Sequence, residues 1–142
     1  MTTNPIHTCP ATAIAELQQL IDQCRYAHVL LDSAEVDNAD VRRVIADALT
    51  AINVAEVLGY LRPTCAHAWR LAACDPGART PVEESNARIA KLAPRGIADL
   101  SIHSLRQAQR ACLDDQTPGG VLATERFTRE LIARAPGPHL HA

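Results

Sequence analysis

The chain has 142 residues, a formal net charge of −2 and a pI near 6.3, so as a whole it offers no field that would draw nucleic acid or an anionic membrane surface. Hydrophobic residues make up 47%, yet 25 residues are alanine and only four are aromatic. A core of Ala, Leu, Ile and Val, without the β-branched and aromatic runs of strands, predicts helices.

Every apolar stretch is broken by Asp, Glu or Arg well short of bilayer length, and the opening "MTTNPIHTCP" has neither the basic region nor the apolar run of a signal peptide. A cytoplasmic protein with no membrane partner is expected, its five cysteines kept as thiols.

In "PATAIAELQQLIDQCRYAHVLLD" apolar groups fall at Ile14, Leu17, Ile21, Cys24, His28 and Leu31, a spacing that holds one stripe of a helix. Pro10 suits the first helical position, where its missing N–H is no loss. A second stripe, Leu20, Ala27 and Leu30, widens the apolar surface and predicts two neighbours for this helix. "SAEVDNAD" then breaks the chain, with Asp37 and Asp40 spaced as a capping box.

A second helix is expected over residues 41–61, apolar along Val41, Ile45, Ala48, Ile52 and Ala55. Val54, Val57, Leu58 and Leu61 open another face near its end, with Tyr60 beside them. The short polar connection makes the first two helices antiparallel neighbours. Pro63 ends the second helix, and a third runs from a Thr64 cap to Cys74 with Cys65, Ala68, Trp69 and Ala72 on one face.

"TPVE", Thr80 to Glu83, combines an N-cap, a first-turn proline and a capping-box glutamate ahead of a fourth helix, 81–93. After Pro94 and Gly96 a fifth, 99–115, aligns Ile102, Leu105, Ala108 and Cys112. "QTPGG" is expected to stop it, and a sixth, 121–135, aligns Ala123, Phe127, Leu131 and Ala135.

Charge is unevenly spread. Residues 1–61 hold eight acidic side chains and three arginines, net −5, whereas residues 62–142 hold eight acidic and eleven basic ones, net +3. Halves of opposite sign attract each other within a fold or leave a basic face for a partner.

Enzyme signatures are sparse. None of the six glycines builds a phosphate-cradling loop followed by Lys and Ser or Thr, and no serine sits in a nucleophile elbow. The pairs Glu83–Glu84 and Asp114–Asp115 lie at helix ends and read as capping or solvated charge.

For a metal, the ligand types present are Cys24 and His28 one turn apart and the Cys65-Ala-His67 pair. No two cysteines have the spacing of a structural zinc site, and on a helix Cys65 and His67 point to different faces. Cys24, Cys65 and Cys112 therefore read as small core hydrophobes and His28 as a half-buried histidine with one ring nitrogen bonded. Cys9, at a helix start, is the position where a helix dipole could favour a thiolate. Helices four and five carry Arg88, Lys91, Arg95, Arg106 and Arg110, but the eight residues between them are about twice the turn of a DNA-reading pair.

The expected architecture is an all-α single-domain bundle of five to six helices over residues 1–135, opening on an antiparallel hairpin with the later helices packed across it, followed by a flexible tail, 136–142. The expected function is non-catalytic, through contact with a protein partner as adaptor, inhibitor or immunity-type partner, with no cofactor and no bound metal. A homodimer through Val54, Val57, Leu58, Tyr60 and Leu61 is the form expected. The alternatives are a metal- or thiol-dependent sensor built on Cys9, Cys24, His28, Cys65 and His67, and a DNA-binding regulator built on the five basic residues above.

Overall fold

Residues 10–135 are described by a computed structural model. They form six α-helices and one short 3-10 turn, 78% helix with no strand among the described residues. Cys9, His139, His141 and the expected tail lie outside them. The contacts group the chain into two compact units, Met1–Thr80 and Pro81–Ala142.

In the first unit α1 (Pro10–Asp32) and α2 (Asn38–Val57) pack along one another, and α3 (Pro63–Cys74) lies against both. The first stripe of α1 is the buried one: Leu17, Ile21 and Cys24 are lost from solvent, facing Val41, Ala48, Ile52 and Ala55 of α2 and Ala66, Trp69, Ala72 and Ala73 of α3. The predicted capping box opens α2, the Asp40 amide donating to Asp37 Oδ1 at 2.9 Å and the Asp37 amide to Asp40 Oδ2 at 3.1 Å. Arg25 Nη2 donates to the Ala78 carbonyl and the Thr80 hydroxyl to Gln18 Oε1, so α1 also holds the segment that follows α3.

Both helices of the hairpin end in the same way. The amide of Tyr60 donates to Ala55 O and that of Gly59 to Glu56 O, with Gly59 at φ +81, a Schellman ending. At the end of α1 the amides of Glu35 and Ala34 make the same pair of bonds to Leu30 O and Leu31 O, but the left-handed residue is Ala34, at φ +61.

Gly59 corrects the expected second helix, which stops at Val57 rather than running to Leu61. Its freedom at positive φ lets the chain reverse there and fold Leu61 inward, to 5% exposure. Pro63 likewise opens α3 at its first position instead of merely closing the helix before it, and the residue ahead of it, Arg62, makes no side-chain cap.

The second unit holds α4 (Pro81–Leu92), the 3-10 turn Ile97–Asp99, α5 (Ile102–Leu113) and α6 (Pro118–Arg134), with α6 packed against both α4 and α5. Phe127, Leu105, Ala123, Ile89, Ala93, Ala108 and Cys112 form its core. Ser101 caps α5 by accepting from the Ser104 amide, which shortens that helix at its start relative to expectation. Ile102, expected in its core stripe, is exposed instead.

The "TPGG" stretch does not only stop α5; it begins α6. Thr117 is the N-cap, its Oγ1 accepting from the Gly120 amide, and Pro118 occupies the first turn. The two glycines that follow are there for space. A Cβ on Gly119 would lie 2.5 Å from Glu84 Cβ on α4, and one on Gly120 would collide with the Asp115 side chain.

Candidate contact surface

The α1–α2 hairpin has two flanks. One is closed by α3, tied down where Arg70 Nη2 reaches Glu56 Oε1 at 2.5 Å and Asn53 Oδ1 at 2.7 Å. The other flank carries two hollows. A volume of about 570 Å3 opens between Tyr26, Ala27 and Leu30 of α1 and Val36, Asp40 and Val44 at the start of α2. A second, about 170 Å3, lies between Ala13, Glu16 and Leu17 and the residues Ala51, Val54 and Leu58. Apolar side chains dominate the lining of both.

Three of the five residues expected at an interface, Val54, Leu58 and Tyr60, line the smaller hollow of this flank. Val54 and Leu58 line it at 47% and 46% exposure, whereas Val57, 86% exposed, does not line it. Tyr60, half-buried, closes the end of the hollow. Leu61 does not belong to the surface, because the turn at Gly59 buries it. What sequence reasoning missed is the α1 side, where Tyr26 lines the larger hollow at 64% exposure. The signal was there: Ala27 and Leu30 of the second α1 stripe line the larger hollow.

The sensor residues are not brought together. Cys24 is buried, its thiol directed at the Val44 carbonyl, 3.8 Å away. The Nδ1–H of His28 donates to the Cys24 carbonyl at 2.9 Å, since a carbonyl can only accept. Cys65 is half-buried on α3 and His67 is exposed. Burial, with Cys74 and Asp47 nearby, pushes the Cys24 thiol above its ordinary pKa, and burial with Asp115 does the same for Cys112, so neither is poised as a thiolate. Among the described residues no group of three or more His, Cys, Asp or Glu is arranged to hold a metal ion.

Of the five basic residues, Arg88 is spent on the fold. Its Nε donates to Asp115 Oδ2 at 2.5 Å, Nη1 to Glu84 and Nη2 to Thr117 Oγ1, so it ties α4 to the start of α6. Asp115 also accepts from the Thr117 hydroxyl and amide; these bonds and then the Arg88 guanidinium hold its carboxyl below the usual carboxylate range. Arg134 is spent in a similar way on the carbonyls of Ile97, Ala98 and Leu100 and on Glu130. Arg106 and Arg110 face a hollow between α5 and α6, while Lys91 and Arg95 are exposed elsewhere. The spacing "TPGG", so like "TPVE", could have flagged the Thr117 cap; nothing local announces the Arg88 network, which joins residues 27 positions apart.

The described residues thus define an all-α helical protein with an open apolar flank, and none of its helices is long and apolar enough to cross a membrane. The chain matches no protein-family model, no curated protein and no solved structure with which it was compared.

Proposed function

We propose that the protein acts through protein–protein contact rather than catalysis, using the flank of the α1–α2 hairpin that α3 leaves open. The observation that supports this reading is the clustering of exposed apolar side chains there. Tyr26, Val54 and Leu58, each at least 46% exposed, line the two hollows of this flank, whereas soluble surfaces seldom gather large exposed apolar groups together. The hollows also have the concave, apolar character of a groove for a partner helix. The two alternatives have weaker support: the sensor residues are scattered between α1 and two faces of α3, and Arg88 of the DNA reading is bound internally.

A second copy of the chain is one partner for such a face, and two-fold pairing is its commonest form. The test is paired. Light scattering at tens of micromolar reads self-association, and affinity capture with mass spectrometry reads other partners, each with Leu58→Glu and Val54→Glu as controls. A dimer, or a captured partner, that both substitutions release while helicity is retained supports the reading. A monomer that captures nothing sensitive to these positions rules it out.

A further inference from the structure

The two hollows lie in line along the α1–α2 hairpin, one toward each end, and together are called the furrow below. On α1 their linings fall on Ala13, Glu16, Gln23, Ala27 and Leu30, and Leu20 fills the missing step of a 3-4-3-4-3 spacing. On α2 they fall on Asp40, Val44, Ala51, Val54 and Leu58, and Asp47 fills the missing step of a 4-3-4-3-4 spacing. Two stripes with helical periods, on antiparallel neighbours, bound a straight channel. From Ala13 to Leu30 it is about 25 Å long at 1.5 Å per residue, room for nearly five turns of a further helix. On the opposite flank of the same hairpin, α3 already lies against both helices.

The chemistry of the furrow selects among helices. Its floor is apolar, formed by Ala27, Leu30, Val44, Ala51, Val54 and Leu58. Three carboxylates line it, Glu16, Asp22 and Asp40, and the helical spacing of α2 sets an exposed fourth, Asp47, in line with them, against one guanidinium, Arg43, which is bound to Asp40 at 2.8 Å. Asp22 has Arg25 at 3.7 Å, but Glu16 and Asp47 are exposed and have no ion pair among the described residues. A second copy docked furrow to furrow would set carboxylates against carboxylates, which disfavours that pairing.

We infer that the furrow binds a basic amphipathic helix of a partner protein, apolar residues at i, i+3, i+4 and i+7 seated on the floor and Lys or Arg beside them paired with the acidic rim. This rests on the protein-contact reading and names its partner class. The recognition mode is a helix laid into a groove, with apolar burial giving affinity and the carboxylates giving charge selection and salt dependence.

The test uses the full chain and three labelled 18-residue peptides: an amphipathic Leu/Lys helix, the same helix with Glu for Lys, and a Leu/Lys peptide of identical composition without helical periodicity. Fluorescence anisotropy is expected to show binding of the first at least tenfold tighter than either of the others, weakened severalfold by 0.5 M NaCl. Glu16→Lys with Asp47→Lys, both on exposed positions, should leave helicity and thermal midpoint intact. It should cost at least tenfold in affinity for the Lys peptide and bring binding of the Glu peptide. Amide shifts on titration should map to α1 and α2. Equal affinity for the three peptides, no binding, indifference to the charge reversal, or shifts centred on α5 and α6 would each overturn the inference. If the peptides fail while a dimer or captured partner is still released by Leu58→Glu, the contact reading stands and only the basic helix is lost; if both fail, both fall.

Discussion

Cys24 and Cys112 show how a residue's chemistry follows from where its helix puts it. Each sits on an apolar stripe, each is at most 4% exposed, and burial holds each thiol in its neutral form. Replacing either by Ser puts a hydroxyl into an apolar site, and a loss of about 1–3 kcal/mol in chemical denaturation is expected. In the native protein at pH 8, a thiol reagent counted by mass spectrometry should, among the described cysteines, label the exposed Cys74 first and these two last. Asp115 is the opposite case, a carboxylate kept ionised by the bonds it accepts. Its folded pKa is lowered, so its contribution is complete above the unfolded carboxylate pKa and lost as pH falls through the folded value. Asp115→Asn should therefore destabilise by about 1–2 kcal/mol at pH 7, the scale of a partly exposed charge-assisted bond. That difference should shrink steadily below about pH 4; an undiminished gap at pH 2.5 would contradict the sign.

At the scale of the element, helix ends decide more than helix interiors. Ala34 holds the left-handed position that closes α1, where a Cβ costs about 1 kcal/mol and glycine costs nothing. Ala34→Gly is therefore expected to raise the thermal midpoint by a few degrees, against the usual rule that Gly weakens a helix. Gly119 reverses the argument. It lies inside α6, where alanine would ordinarily stabilise by up to about 1 kcal/mol. Here the added Cβ meets Glu84 Cβ at 2.5 Å and the Glu84 backbone carbon at 3.2 Å, contacts between packed helices that cannot both relax. Overpacking of that kind costs about 1–3 kcal/mol, so Gly119→Ala should destabilise, and a more stable variant in urea denaturation would refute the close approach of α4 and α6.

For the whole molecule, the question is which apolar surface holds the fold and which is left for a partner. Ile52 and Leu58 lie less than two turns apart, yet Ile52 is fully buried and Leu58 is 46% exposed. Ile52→Glu places an unpaired charge in the core of the first unit and should abolish its cooperative unfolding. Leu58→Glu should stay within about 0.5 kcal/mol of the wild type, its circular dichroism unchanged. Equal damage from the two would mean that the flank is structural, and the proposed function would lose its surface.

Composition and periodicity alone determined the helical class, the first core stripe of α1, the α2 stripe from Val41 to Ala55, and the capping box at Asp37 and Asp40, because these depend on residues three or four positions apart and on hydrogen bonds within one turn. The second stripe of α1 was legible as well, but not what faces it. Periodicity says that a face is apolar, and it is silent on whether another element covers that face. Only tertiary structure decided that Gly59 turns Leu61 inward, that α3 covers one flank of the hairpin as the second neighbour of α1, and that Ala27 and Leu30 of the second stripe line an open hollow instead of meeting that neighbour. The same holds for Arg88, whose partners at Glu84, Asp115 and Thr117 are assembled by the packing of α6 on α4. Such groups are distant along the chain, and the free energy that joins them belongs to the packed state and leaves no local pattern to read.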